Sequence, residues 1–159
     1  MKKLTLFLGL MIGLNLAASE IGNIIDQQRP FYLYPNESNG LLTYVKWNQQ
    51  DCDFAFRDGV KMRKSNGHFQ TYWSTKFFNF KQIHYFELEK SHAPEYFTVI
   101  IGAYQAGAVM WVENQYEDED TGWRDSDDWA HTEAYLRFDN EELAEQAHVQ
   151  LKKEWQRCQ

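Results

Sequence analysis

Between Glu117 and Glu133 eight carboxylates crowd around one arginine, Arg124, and two tryptophans, Trp123 and Trp129. Three kinds of chemistry could use such a stretch. A solvated acidic loop would only keep the surface soluble, which is the ordinary role of a charge run. A calcium loop would draw oxygen ligands from Asp118, Asp120, Asp125, Asp127 and Asp128. The EF-hand spacing, with its obligatory mid-loop glycine and closing glutamate, is not met. A recognition loop would use the tryptophans as rigid apolar anchors, ringed by charge that steers a basic partner. The residues taken as partner-binding are Trp123, Trp129, Glu117, Asp118, Glu119, Asp120, Asp125, Asp127 and Asp128. A paired-carboxylate glycosidase needs one acid kept neutral by burial and a second ionised at fixed separation, and a hydrophilic run supplies neither.

Elsewhere the chain offers little recognisable chemistry. No GxSxG nucleophile elbow and no HExxH metal helix occur. GAYQAG (102–107) lacks the lysine and hydroxyl of a phosphate loop, so its glycines read as turn formers. The histidines at 68, 84, 92, 131 and 148 are scattered singly, and none has a second histidine three or four residues away. His148 falls beside a helical apolar stripe and reads as a boundary residue. No catalytic residue, metal site or cofactor is expected.

The first nineteen residues, MKKLTLFLGLMIGLNLAAS, have the layout of an export signal: two lysines, an apolar run from Leu4 to Leu16, and small residues before a cut near Ser19. The run is shorter than the ~20 residues of an ordinary membrane span. Cleavage leaves residues 20–159, a length that suits a single globular domain, expected in a periplasm or outside the cell. Both charges in the removed segment are lysines, leaving 14 basic against 23 acidic residues, a net of −9. Such a surface repels nucleic acid and anionic lipid and favours a basic protein partner.

Cys52 and Cys158 are the only cysteines. An even pair in an oxidising compartment predicts a disulfide, and a redox-active pair would instead show CxxC spacing. The bridge would close a loop of about 100 residues, worth ~4 kcal/mol by chain entropy.

The elements that must position these groups are mostly strands. EIGNIIDQQR (20–29) predicts one or two helical turns before Pro30. FYLYP (31–35) and LLTYVKW (41–47) flank the turn signal 36–40. CDFAFRDG (52–59) alternates, with Cys52, Phe54 and Phe56 on one face. Asp58-Gly59 and Asn66-Gly67 are turn dipeptides, the second leading into HFQTYW (68–73). FFNFKQIHYFELEK (77–90) slips phase near Ile83, predicting a bulge or corner. EYFTVIIGAY (95–104) reads as a strand covered on both faces, forming a hairpin with AVMWVEN (108–114). Residues 115–132 are expected as a polar loop and AYLRF (134–138) as the last strand. Asp139 with Glu142 forms a capping-box pattern. Leu143, Ala147, Leu151, Trp155 and Cys158 then share one helical stripe. That stripe puts Cys158 on the buried face.

The FFNFKQI corner followed by HYFELEK, and the closing AYLRFDNEELAEQAHVQLKKEWQRC, give an order that resembles the pleckstrin-homology-like fold. The resemblance implies about seven strands in two packed sheets, closed at one end by the helix. A generic α+β sandwich with a helix on one face is the rival. Headgroup binding, which uses a basic patch between early strands, is not carried over, because Lys61, Arg63 and Lys64 are the only such cluster there and the domain is acidic. The expected class is therefore α+β: mostly antiparallel β closed by one C-terminal amphipathic helix. The expected function is non-enzymatic binding, in the manner of an immunity or inhibitor protein that occludes a basic toxin or cell-wall hydrolase. A glycan or peptidoglycan-fragment binder is the alternative, favoured by aromatic side chains on a sheet away from the acidic run. A small enzyme would need a histidine and a carboxylate converging in a concave site.

Overall fold

The computed structural model describes residues 20–91, 96–104, 110–122 and 124–159, and for residues 45–46, 110–114 and 127–129 it describes the backbone. The stretch 1–19, read as an export signal, lies outside the described residues, as does Trp123. Helix α1 spans Glu20–Gln27. The strands are β1 (Phe31–Tyr34), β2 (Asn39–Gln50), β3 (Asp53–Arg63), β4 (Phe69–Asn79), β5 (Tyr85–Lys90), β6 (Phe97–Gly102), β7 (Met110–Asp118), β8 (Arg124–His131) and β9 (Glu133–Phe138). Helix α2, Glu141–Cys158, ends the fold.

All pairings are antiparallel, and they build two sheets. One has six strands in the order β1-β2-β3-β4-β7-β8, the other three in the order β5-β6-β9. Among the described residues no strand is shared between them, and the body is an open pair of layers and not a closed barrel. The predicted class, a mostly antiparallel body finished by an amphipathic helix, is what the structure has, with nine described strands in place of about seven.

Periodicity explains which faces meet. Phe54 and Phe56 of β3 and Phe78 of β4 turn inward and are nearly or fully buried. They meet Val99 and Ile101 of β6, and Leu136 and Phe138 of β9, across the core. Helix α1 contributes Ile21, Ile24 and Ile25, and α2 contributes Ala144, Ala147 and Leu151. Each large apolar side chain removed from water stabilises the fold by about 1.5–3 kcal/mol. Every residue of β6 is buried, as its unbroken apolar run predicts, because it is the central strand of its sheet. Gly22 of α1 lies beneath the Trp47 ring, where a Cβ would come within 2.2 Å of it.

The disulfide is present. Cys52 occupies the tight turn between β2 and β3, where Asp51 takes a left-handed backbone with φ 51°. Cys158 ends α2 on its buried stripe, and the two are joined with Cα atoms 5.8 Å apart. The same end of α2 is tied twice more: Arg157 donates to the Asp51 carbonyl at 2.6 Å, and Trp155 Nε1 donates to the Ile83 carbonyl at 2.8 Å. His148 stands at the stripe's border with Nε2 3.2 Å from the Phe86 carbonyl oxygen.

Several expectations are corrected. Residues 115–132 are not a polar loop; most of them form the facing arms of the β7–β8 hairpin. An edge strand with polar residues on both faces carries no apolar alternation, so its sequence resembles a loop. The arms are joined by a turn at 119–122, where Asp118 Oδ1 accepts from the backbone of Asp120 and Thr121 and Gly122 has φ 64°. The anticipated hairpin between 95–104 and 108–114 does not form. Strand β6 spends both edges on β5 and β9, whereas β7 pairs with β4 and β8 in the other sheet. Asp58-Gly59 is not a turn but lies mid-strand in β3, where the Trp73 ring crosses Gly59 and a Cβ would sit 2.3 Å from it. Helix α2 is capped by Asn140, whose Oδ1 accepts from Leu143 N at 3.1 Å, one residue later than the capping-box reading. The corner near Ile83 is a 3-10 turn, Phe80–Gln82, and Asn66-Gly67 does turn β3 into β4.

Candidate functional site

The acidic stretch is brought against Lys61 and Lys64, of the basic cluster at the β3–β4 turn. Strand β4 pairs with both β3 and β7, so the β3–β4 and β7–β8 hairpin ends lie side by side. Lys61 Nζ reaches Glu119 at 2.7 Å, and Lys64 Nζ reaches Asp118 at 2.8 Å and Asp120 at 3.8 Å. Asp120 also accepts from Asn66 Nδ2 at 2.6 Å and faces His68 Nδ1 at 3.3 Å. Glu117 accepts from Trp73 Nε1 at 3.3 Å and lies 3.6 Å from Arg124 Nε. The hydrogen bond from Lys64 holds the Asp118 carboxyl below its ordinary range and raises the lysine in return. Ion pairs in contact with solvent contribute little net stability, so these fix orientation more than they hold the fold together.

The predicted partner-binding set is thereby divided. Asp118, Glu119 and Asp120 hold the neighbouring hairpin through Lys61 and Lys64, and Glu117 does so through Trp73. Asp125 is exposed on β8, where its carboxylate accepts from the Ser126 amide at 2.8 Å. The backbone places Asp127 opposite Asn114, Asp128 opposite Glu113 and Trp129 opposite Val112. Strand β8 is the outer edge of the six-stranded sheet, with no partner on its far side among the described residues. An open edge presents a row of backbone donors and acceptors, and charged side chains are the usual guard against indiscriminate pairing there.

Two arrangements carry no local sequence signal. The first is internal. Lys76 Nζ lies 2.5 Å from Asp58 Oδ1 and 5.3 Å from the Phe56 ring centre, and both charged side chains are nearly buried. Asp58 Oδ2 has no hydrogen-bond partner among the described residues. Burial lowers the Lys76 ammonium, partly offset by the Asp58 charge. Beside this pair the Tyr44 hydroxyl donates to the Arg137 carbonyl at 3.0 Å and accepts from the Arg137 amide at 2.6 Å, joining β2 to β9 across the layers. Burial, followed by the nearby Asp58 charge, pushes the Tyr44 phenol far above its ordinary value.

The second is on the solvent face of the three-stranded sheet. Tyr85, Gly102 and Glu133 are in register across β5, β6 and β9. Gly102 has no side chain, and a Cβ there would meet the Tyr85 ring at 2.1 Å. The ring therefore lies across it, and the hydroxyl donates to Glu133 Oε1 at 2.5 Å on the strand beyond. Tyr135, two residues along β9, donates to Oε2 at 2.5 Å. Tyr104, 78% exposed, rests its ring 5.7 Å from that of Tyr85 and 5.1 Å from that of His84. Hydrogen bonds from Tyr135 and then Tyr85 hold the Glu133 carboxyl low. Its hydrogen bond and charge in turn push the Tyr85 phenol up to about 12.

A titration follows from that geometry. Because the folded phenol of Tyr85 holds its proton more tightly than the unfolded one at 10.0, its stabilisation is fully present below pH 10 and is lost as pH rises through about 12. Absorbance at the phenolate band should show a tyrosine ionising about two pH units late. Gly102→Ala should expel the ring and return that tyrosine towards its ordinary value while the chain stays folded. A late phase unchanged in Gly102→Ala would contradict the assignment.

Among the described residues no group of three or more histidine, cysteine or acidic side chains is arranged to hold a metal ion, and no helix is long and apolar enough to cross a membrane. Comparison of the chain with protein-family models, curated proteins and solved structures finds no match.

Proposed function

We propose that the chain is an exported, non-enzymatic binding protein that holds a basic protein along the acidic edge of its six-stranded sheet. The observation that carries this reading is the position of β8: the outermost strand of the sheet is also the strand that carries Asp125, Asp127 and Asp128. An extended basic segment of a partner adds to such an edge by backbone hydrogen bonds, and its lysines or arginines meet the aspartates. Trp123 and Trp129 supply the apolar anchors. Glu117, Asp118, Glu119 and Asp120 keep the hairpin in place through Lys61, Lys64 and Trp73 and add long-range attraction. Steric occlusion of a basic toxin or cell-wall hydrolase is the form this capture takes. The disulfide accords with work in an oxidising compartment, the periplasm.

The test uses an immobilised sample of the protein and a synthetic twelve-residue peptide alternating lysine with valine. Binding should weaken steeply between low and physiological salt, and Asp125→Lys with Asp127→Lys and Asp128→Lys should reduce affinity at least about tenfold. Replacing Trp123 and Trp129 by alanine should weaken capture while the thermal transition persists. Capture indifferent to both sets of substitutions would sink the reading.

A further inference from the structure

We infer that Tyr104, Tyr85 and Tyr135, arranged about Glu133, form a stacking platform for a neutral pyranose sugar on the solvent face of the three-stranded sheet. This site lies on a different sheet from the β7–β8 hairpin and does not depend on it. The outline comes from Tyr104. Its ring lies tilted against those of His84 and Tyr85, at 50° and 36° between planes, and 78% of the residue remains in water. An aromatic ring steadied by two neighbours and mostly in water offers a flat surface, not a box. The C–H face of a pyranose lies on such a surface, whereas an organic cation is held best where several ring faces converge.

Hydrogen-bonding chemistry selects the same class. Both oxygens of Glu133 are already oriented by tyrosine hydroxyls, yet a carboxylate has about four lone-pair sites and the described residues fill two of them. The phenol oxygens of Tyr85 and Tyr135 spend their protons on Glu133 and keep their lone pairs. The platform is thus rich in acceptors, and a polyhydroxyl ligand is a matching supply of donors. Glu87 and Glu89, exposed on β5, together with Glu133 outnumber the one cation at the platform, Arg137, whose guanidinium lies 5.5 Å from the Tyr135 ring centre, and this balance disfavours acidic sugars. Gly102 is what makes the arrangement possible, since any side chain there would displace the Tyr85 ring.

The experiment is a titration of the isotope-labelled protein with an N-acetylglucosamine tetrasaccharide and, separately, with maltotetraose, followed by amide shifts. At least one sugar should bind with a dissociation constant of about 1 mM or tighter and move signals of Gly102, Tyr104 and 133–137. Tyr104→Ala should weaken binding about tenfold or more with an unchanged thermal midpoint, because that side chain is mostly in water. Tyr85→Phe, which keeps the ring and removes the donor to Glu133, should weaken it several-fold. The lysine variant of the β8 aspartates should bind sugar normally. No shifts up to ~10 mM of either sugar, shifts that survive Tyr104→Ala, or displacement of the signals by choline in place of sugar would each overturn the proposal.

Discussion

Replacing Cys52 and Cys158 together by serine is expected to lower the free energy of unfolding by about 4 kcal/mol. The bridge joins residues separated by 106 positions, so the unbridged chain regains the conformational freedom of nearly the whole domain. The folded state itself changes little, since Arg157 and Trp155 still tie the last turns of α2 to Asp51 and Ile83. For a domain of this size the thermal midpoint should fall by roughly 8–16 °C. Urea unfolding of the native and serine forms, with coincident fluorescence and circular dichroism transitions, measures it directly. A change below about 1 kcal/mol would mean that packing of α2 alone holds the end of the chain.

The second large effect concerns the interior. Lys76→Met should cost about 3–5 kcal/mol, because it strands a carboxylate between the layers with both oxygens unpaired. Asp58 is only 3% exposed, and one of its oxygens already lacks a partner among the described residues of the intact protein. The companion experiment is the double variant Asp58→Leu with Lys76→Met, which removes both charges and keeps apolar volume. It should recover most of the loss. A double-mutant cycle from denaturant midpoints separates the pair's coupling from the cost of the orphaned charge. If the double variant is as unstable as the single, the two side chains are not acting as a pair.

What could be read in advance was whatever depended on near neighbours. The stripe Leu143, Ala147, Leu151, Trp155 and Cys158 announced α2 and placed its cysteine inward, and compartment chemistry supplied the bridge. The apolar run of β6, the phase slip before β5 and the Asn66-Gly67 turn were equally local. The rest depended on residues meeting from far apart. Lys64 and Asp118 are 54 positions from each other, and nothing in either segment signals the other. That meeting changes the standing of the acids most readily credited with attracting a partner, since four of them turn out to be occupied at home. Asp58-Gly59 carried a true turn signal that packing overrode, the glycine serving as a bed for Trp73 and the aspartate as a counterion. The tyrosine platform needed three strands in register before Tyr85 could reach Glu133, so no spacing in the chain foretold it.

The path of the backbone has a kinetic corollary. It lays down β1 to β4 in the first layer, β5 and β6 in the second, β7 and β8 back in the first, and β9 again in the second. Neither layer can therefore be finished until the other has begun, and a fragment ending after β6 would leave β4 and β6 each exposing an unmatched edge. Such interleaving makes the domain assemble as one indivisible event, on the slow side of the range for its length, in milliseconds to seconds. While it waits, the apolar β6 is the segment at greatest risk of sticking to its neighbours, and prompt closure by β9 is what retires that hazard.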